Sequence, residues 1–264
     1  MEKRVVLITG VSSGFGLEMA KLFLKNGDKV YGLALRENFS LPGLNYFSGD
    51  ITSRNVVSKV LSRIEREEGH LDILINNAGY GIFSAIEETP LEEAERIYRV
   101  NVLGALNVTQ LSLPLLRRGK QSKIINTSSI GSEVPLPFQS FYSAGKCALD
   151  TLFDALRSEI RPFGIKIVSL RPGDSKTSFT RNRKTLPCSS LYKERLSRSL
   201  KQVEKDEQGG FAPIKVARKA LSASKKRNPK QVYRIGGKDR FLNFLFHVLP
   251  RKARSYIVYQ IYAK

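Results

Sequence analysis

The sequence predicts an α/β fold: a single domain of three layers, with a doubly wound parallel sheet of about seven strands between helices. Three observations lead there. Short apolar, β-branched runs alternate with segments of helical period as far as Gly173. The first run passes straight through a glycine-rich turn into a helix, and a second glycine turn, Asn77-Ala78-Gly79, closes a later run. Strands joined through helices must pair in parallel, and parallel sheets bury both faces.

Length and composition agree with this. The 264 residues are 41% hydrophobic and 26% charged, which suits one large domain with a sizeable core. We divide it at residue 175, into a regularly patterned part, 1–175, and a segment 176–264 holding the last strand and a basic C-terminal extension. Met1-Glu2-Lys3-Arg4 leads directly into a strand, without the charged-then-apolar pattern of a targeting signal. No apolar run reaches the roughly 18 residues that span a bilayer. The longest candidate, Phe241 to Leu249, is interrupted by Asn243 and His247. Cys147 and Cys188 have no metal-ligand spacing, so no metal site is expected and a cytoplasmic, reducing compartment is.

Arg4 to Ile8 is the first strand, ending in Thr9-Gly10-Val11-Ser12-Ser13-Gly14-Phe15-Gly16. Leu17, Ala20, Leu22 and Leu24 then follow helical spacing to a stop at Asn26-Gly27. Glycines between a strand and a helix let backbone amides approach a pyrophosphate at the helix N-terminus. Lys29 to Leu35 is the second strand. At its end, where an acidic residue would hold the ribose 2′-hydroxyl of NAD, stand Ala34, Leu35 and Arg36. An arginine there can pair with a 2′-phosphate, which favours NADP(H) over NAD(H); Glu37 follows and argues the other way.

Leu44 to Gly49 reads as a third strand ending at Asp50-Ile51-Thr52, and Ser53 to Glu68 as an amphipathic helix. Leu71 to Ile75 is a fourth strand. Leu91 to Arg117 reads as one helix containing Asn101, a residue more often found packing or kinking a helix than doing chemistry. Lys123 to Ile125 is a strand and Phe141 to Arg161 a helix. Ile165 to Leu170 leads to Arg171-Pro172-Gly173. Beyond it the pattern weakens into polar, basic pieces, with a helix at Pro213–Ala223 and a seventh strand at Gln231–Ile235.

The chemistry concentrates in Asn126 to Lys146. Tyr142 and Lys146, four residues apart on a helix, share one face. Ser129 stands at a strand end thirteen positions upstream of Tyr142, and Ser128 is its competitor for the same part. A phenol, an ammonium and a hydroxyl so placed form a proton donor, its tuner and its helper.

Together these residues resemble the short-chain dehydrogenase/reductase family, closely to about residue 180 and loosely after it. TGxxxGxG is Thr9, Gly10, Gly14 and Gly16; NNAG is Asn76 to Gly79; YxxxK is Tyr142 to Lys146; PGxxxT is Pro172, Gly173 and Thr177. Asp50, Asn101 and Ser129 match the family's adenine-contact, helix and catalytic positions. The resemblance implies a Rossmann-like fold and a dinucleotide held by Gly10, Ser12, Ser13, Gly14, Phe15, Gly16, Arg36, Asp50, Ile51, Asn77, Ala78, Gly79, Tyr142, Lys146, Pro172, Gly173 and Thr177. It makes Asn101, Ser129, Tyr142 and Lys146 the catalytic set. Tyr142 would exchange the proton, its affinity lowered by Lys146 and by the oxidised nicotinamide. Ser129 would bond the substrate oxygen, Lys146 the nicotinamide ribose, and Asn101 a relaying water. Within the family, NNAGYGIF and PLPFQSFYSAGKCAL are similar to enzymes of retinol-, steroid- and long-chain-type carbonyls and to carbonyl reductases. Ala34 falls where NAD users carry aspartate, again favouring NADP(H). The basic residue that some NADP users place in the glycine loop is absent, with Ser13 there instead.

The expected function is interconversion of a ketone or aldehyde and its alcohol on a hydrophobic, lipid- or steroid-like molecule. Its pocket is expected from Ile82, Phe83, Val134, Leu136, Phe138 and Phe179. Residues 171–264 hold 24 Lys and Arg against 6 Asp and Glu, so nearly all of the net charge of +20 lies in the last third. That asymmetry suggests an anionic partner, whether an acidic membrane surface, an acidic substrate or nucleic acid, against a solvated basic surface with no dedicated partner. Aromatic-basic interleaving from Arg240 to Tyr262 permits peripheral membrane contact, and no recognisable nucleic-acid motif supports the other option. The family resemblance adds a homodimer or homotetramer built on the two long helices near 91–118 and 141–161. The alternatives are a catalytically silent nucleotide sensor and a basic peripheral-membrane adaptor.

Overall fold

The computed structural model describes residues 3–177, 179–236 and 249–264; the apolar Phe241–Leu249 stretch therefore lies, up to Val248, outside the described residues. The chain forms one Rossmann-like α/β domain. Seven parallel strands, β1 (Val5–Thr9), β2 (Lys29–Ala34), β3 (Asn45–Ser48), β4 (Ile73–Asn76), β6 (Lys123–Thr127), β7 (Lys166–Pro172) and β9 (Val232–Ile235), stand in the order β3-β2-β1-β4-β6-β7-β9. The chain winds outward from β1 to β3, then returns to the middle and winds the other way from β4. The reversal between β1 and β4 opens a crevice at the carboxyl ends of the strands, where open α/β sheets bind ligands.

Alternation along the strands feeds two cores. Val5 and Leu7 of β1 pack with Val57, Val60 and Ile64 of α2 (Arg54–Glu68), Val108 and Leu115 of α4 (Ala105–Arg118), and Leu149 and Phe153 of α5 (Ser140–Glu159). Val6 and Ile8 pack on the other face with Met19, Ala20 and Phe23 of α1 (Gly14–Lys25) and Val216, Ala217 and Ala220 of α8 (Ile214–Lys225). Each helix presents its apolar residues at i, i+3 and i+4, so burial follows directly from the sequence period.

Two departures from the expected elements matter for the site. The segment expected as a single helix from Leu91 to Arg117 is α3 (Leu91–Tyr98), a wide π-type turn at Arg99–Gly104, and α4. The turn has a local cause: Asn101 turns its amide out of the helix to the backbone of Tyr80, and Gly104 lets the helix close on Ile51, whose side chain would lie 2.7 Å from a Cβ there. Second, β5 (Ile82–Phe83) pairs in parallel with β8 (Lys184–Thr185), after the short helix α6 (Phe179–Asn182). This pairing withdraws Ile82 and Phe83 into packed clusters.

Above the carboxyl edge of the sheet, α7 (Ser190–Gln208) packs against α9 (Arg251–Tyr262). Ser189 caps α7 by accepting from Leu191 N at 3.3 Å. Leu196 and Val203 of α7 bury against Phe83, Phe138 and Tyr262.

Candidate active site

The glycine turn after β1 is shaped by contacts that no side chain could enter. Gly10 has φ +71°, and a Cβ on it would meet Ala78 Cα at 2.9 Å. Gly16 packs α1 onto the turn so closely that a Cβ would stand 2.1 Å from the Gly10 carbonyl oxygen. Thr9 Oγ1 fastens this turn to the second one, accepting from Asn77 N at 3.0 Å and Ala78 N at 3.1 Å. Asn77 Nδ2 donates back to Thr9 O at 3.1 Å. The Ser13 side chain makes no capping bond at the start of α1. Its first-turn amides, which no helix can satisfy internally, are thus left for an anion.

A cavity of about 790 Å³ runs from this turn across the sheet edge. Its walls include every residue expected to meet the dinucleotide except Gly16: Gly10, Ser12, Ser13, Gly14, Phe15, Arg36, Asp50, Ile51, Asn77, Ala78, Gly79, Tyr142, Lys146, Pro172, Gly173 and Thr177. Gly16 is buried behind the turn and shapes it without reaching the cavity. Arg36 is exposed at the outer end, and its guanidinium forms no ion pair among the described residues. The trough, the glycines a Cβ would fill and the open helix N-terminus fit a dinucleotide.

At the inner end, Tyr142 and Ser129 line the cavity together. Ser129 Oγ accepts from Gly131 N at 3.0 Å. Ser128, one residue earlier, points the other way and donates to Asp150 at 2.9 Å, so the geometry selects Ser129. Lys146 lies one turn along α5, its Nζ 5.8 Å from the centre of the Tyr142 ring, and donates to Thr127 O at 2.7 Å. The Asn101 side chain is bonded to the backbone of Tyr80: Oδ1 accepts from Tyr80 N at 3.0 Å and Nδ2 donates to Tyr80 O at 2.8 Å.

The electrostatics also depart from expectation. Burial pushes the Tyr142 phenol up to about 12; the nearby Ser129 hydroxyl works in the opposite direction, Glu207 adds to the rise and Arg183 opposes it. Burial likewise brings Lys146 down to about 8, against the pull of Asp150. Lys146 is not among the groups that act on the phenol's proton affinity, which desolvation dominates.

Of the residues expected to form the substrate wall, Val134, Leu136 and Phe179 line the cavity, and the Phe179 ring lies 5.4 Å from that of Tyr142. Ile82, Phe83 and Phe138 instead pack behind it. The sequence reading missed Val203, Asp206 and Glu207 of α7 and Val258, Ile261 and Tyr262 of α9, which complete the far wall. The helical spacing of Val258, Ile261 and Tyr262 was the available signal.

A strand-turn-helix that frames a dinucleotide trough, with a Ser-Tyr-Lys cluster at its inner end, defines a nucleotide-dependent oxidoreductase. Comparison with known proteins makes the class specific: the short chain dehydrogenase family matches residues 4–186, and the chain belongs to it. A 3-ketodihydrosphingosine reductase of Bacteroides thetaiotaomicron is 35% identical over 260 residues, covering 97% of this chain and 94% of that one. An NADPH-dependent 3-dehydrocapnine reductase of Ornithobacterium rhinotracheale is 30% identical over 273 residues, covering 97% and 96%. Among solved structures, a short-chain dehydrogenase from Streptomyces avermitilis superposes with a TM-score of 0.83 at 27% identity, covering 97% of this chain and 95% of that one.

Because its proton affinity is depressed on folding, Lys146 gives the unfolded state more bound protons than the native state between about pH 8 and 10.5, so its contribution to stability rises with pH there. In urea unfolding, the stability difference between wild type and Lys146→Met is expected to move in favour of wild type from pH 8 to 10. A difference constant across that range would show that the ammonium is not desolvated.

Proposed function

We propose that the protein is an NADP(H)-dependent reductase of a ketone or aldehyde carried on a long hydrophobic molecule, with Tyr142 as the proton-exchanging group. The observation that carries this is Tyr142 facing the same space as Ser129, where the polar dinucleotide trough meets walls made by Val134, Leu136, Phe179 and Ile261. The keto group and sphingoid chain named for the Bacteroides relative fit such a divided cavity, and the other relative is named as NADPH-dependent.

Arg36 is the residue we assign to the 2′-phosphate, with the Gly10–Phe15 turn and the α1 N-terminus on the pyrophosphate and Lys146 on the nicotinamide ribose. Bound NADPH supplies the hydride. Ser129 donates a hydrogen bond to the substrate oxygen, and Tyr142 delivers its proton to that oxygen as negative charge develops. The phenol, its proton affinity raised by burial, is protonated at neutral pH, the form that reduction consumes; alcohol oxidation needs the phenolate. A silent nucleotide sensor would have no chemical need for Ser129, Tyr142 and Lys146 together. Residues 1–175 act as the cofactor-binding and catalytic core and 176–264 as the substrate-side segment. The exposed Leu103 and Leu152, on the two long-helix segments, support self-association through that face.

A second, compatible reading concerns location, and α9 favours it. The helix carries Arg251, Lys252 and Arg254 and no acidic residue, and Tyr256 and Tyr259 are 63% and 47% exposed, while Val258 and Tyr262 face the cavity. Aromatic and basic residues on one helix suit the surface of an anionic bilayer. We therefore place the protein in the cytoplasm, where two free thiols are stable, in peripheral contact with membrane.

Tyr142→Phe is expected to lower NADPH-dependent reduction of a long-chain ketone by about 10²- to 10⁴-fold while NADPH binding, read by its fluorescence, stays intact; undiminished turnover would remove Tyr142 from the chemistry. Arg36→Ala is expected to weaken NADPH binding about 10- to 100-fold and NADH binding little, the loss of charge-assisted hydrogen bonds to a phosphate. Equal losses for both cofactors would refute the 2′-phosphate assignment. In vesicle sedimentation, the protein should pellet with phosphatidylcholine vesicles containing phosphatidylglycerol, and be released by high salt; pelleting that ignores lipid charge would leave the basic surface without this role.

A further inference from the structure

The inward face of α5 carries a third polar residue below Tyr142 and Lys146. Asp150, four residues beyond Lys146, is 8% exposed. Its Oδ1 accepts from Ser169 Oγ at 2.7 Å. Its Oδ2 accepts from Ser128 Oγ at 2.9 Å, Ser132 Oγ at 2.7 Å and Arg171 Nε at 2.9 Å. A buried carboxylate is tolerated only when its lone pairs are satisfied, and this one is.

The origins of the donors give the cluster its meaning. Ser128 and Ser132 flank Ser129, and Ser132 Oγ also lies 2.8 Å from Ser129 O. Ser169 and Arg171 lie on β7, just before Pro172 and Gly173 of the dinucleotide trough. Arg171 continues to Glu133, which Arg234 of β9 grips with Nε at 2.9 Å and Nη2 at 2.6 Å. Charges thus alternate from Asp150 through Arg171 and Glu133 to Arg234. The network ties α5, the loop after β6, and the outer strands into one rigid block under the reactive groups.

Among the described residues, Lys146 forms no ion pair with a carboxylate. It donates to a neutral carbonyl, and on its own helix the charge that works against its burial is that of Asp150. From the other elements around this end of the cavity, Arg171 pairs with Asp150 and Glu133 rather than approaching Lys146, and Arg183 and Glu207 act on Tyr142. Asn101 and Thr127 bring no charge.

We propose that Asp150 is a positioning residue for this site: through Ser128 and Ser132 it fixes the strand end that presents Ser129, and from one turn away it gives the Lys146 ammonium its buried counter-charge. The inference rests on Ser129, Tyr142 and Lys146 being the reaction centre. It makes the carboxylate's two duties separable, because hydrogen bonding survives changes that remove the charge.

The test is a pH profile of kcat with NADPH for Asp150→Asn, Asp150→Glu and the double variant Ser128→Ala/Ser132→Ala. Asp150→Asn is expected to lower kcat about 10- to 100-fold, to move the basic limb down by about one pH unit, and to change the NADPH Kd less than about threefold. Asp150→Glu should return the limb toward its wild-type position. The double serine variant should lower kcat about tenfold with the limb unmoved, and it bears on the first duty even if Asp150→Asn does not fold. A wild-type limb in Asp150→Asn, or an undiminished kcat in the double serine variant, would overturn the proposal. Full turnover by Tyr142→Phe would instead sink the reaction centre itself, so the two failures are told apart.

Discussion

The close approach of two turns governs this structure. All strands of the main sheet run parallel, so their carboxyl ends collect on one edge, and the reversal between β1 and β4 places the Gly10 turn beside the Asn77–Gly79 turn. Thr9 Oγ1 spans them with bonds to two successive amides. A bulkier residue at Gly10 or Gly16 would push the turns apart. The trough would then lose both its width and the aim of the α1 amides. Everything further along the cavity takes its position from that junction.

Much of this was legible in the sequence, and the reasons are local. β1 is a run of β-branched residues that cannot form a stable surface helix, and it empties into glycines that only a tight turn explains. Tyr142 and Lys146 needed only the helical period to be paired. The illegible parts were set by partners distant in sequence. Ile82 and Phe83 look like pocket residues until Lys184 and Thr185, about a hundred positions later, pair with them and draw them inward. Asn101 carries no sign that its amide will be spent on the backbone of Tyr80. Gly16 belongs to the right motif, yet its task is steric.

The charged groups under the site follow a different logic from the surface. The last third of the chain is strongly basic, but beneath α5 carboxylates and cations alternate through Asp150, Arg171, Glu133 and Arg234. Burial raises the proton affinity of Glu133, and Arg234 and Arg171 together outweigh it, holding that carboxyl below its ordinary value. Such a network contributes little net stability over an apolar core of the same shape, because desolvation offsets attraction. What it adds is a fixed geometry beneath groups that must meet a substrate within fractions of an ångström.

The far wall from α7 and α9 has a consequence for how the molecule comes into being. Residues near 10, 78, 129, 142, 173, 203 and 258 all face one space, so no contiguous fragment contains a usable binding site. Parallel crossovers close long loops before their contacts repay the lost entropy, which makes this cavity one of the last features to form on the folding path. An occupant therefore reports on, and by mass action stabilises, the finished fold rather than any part of it.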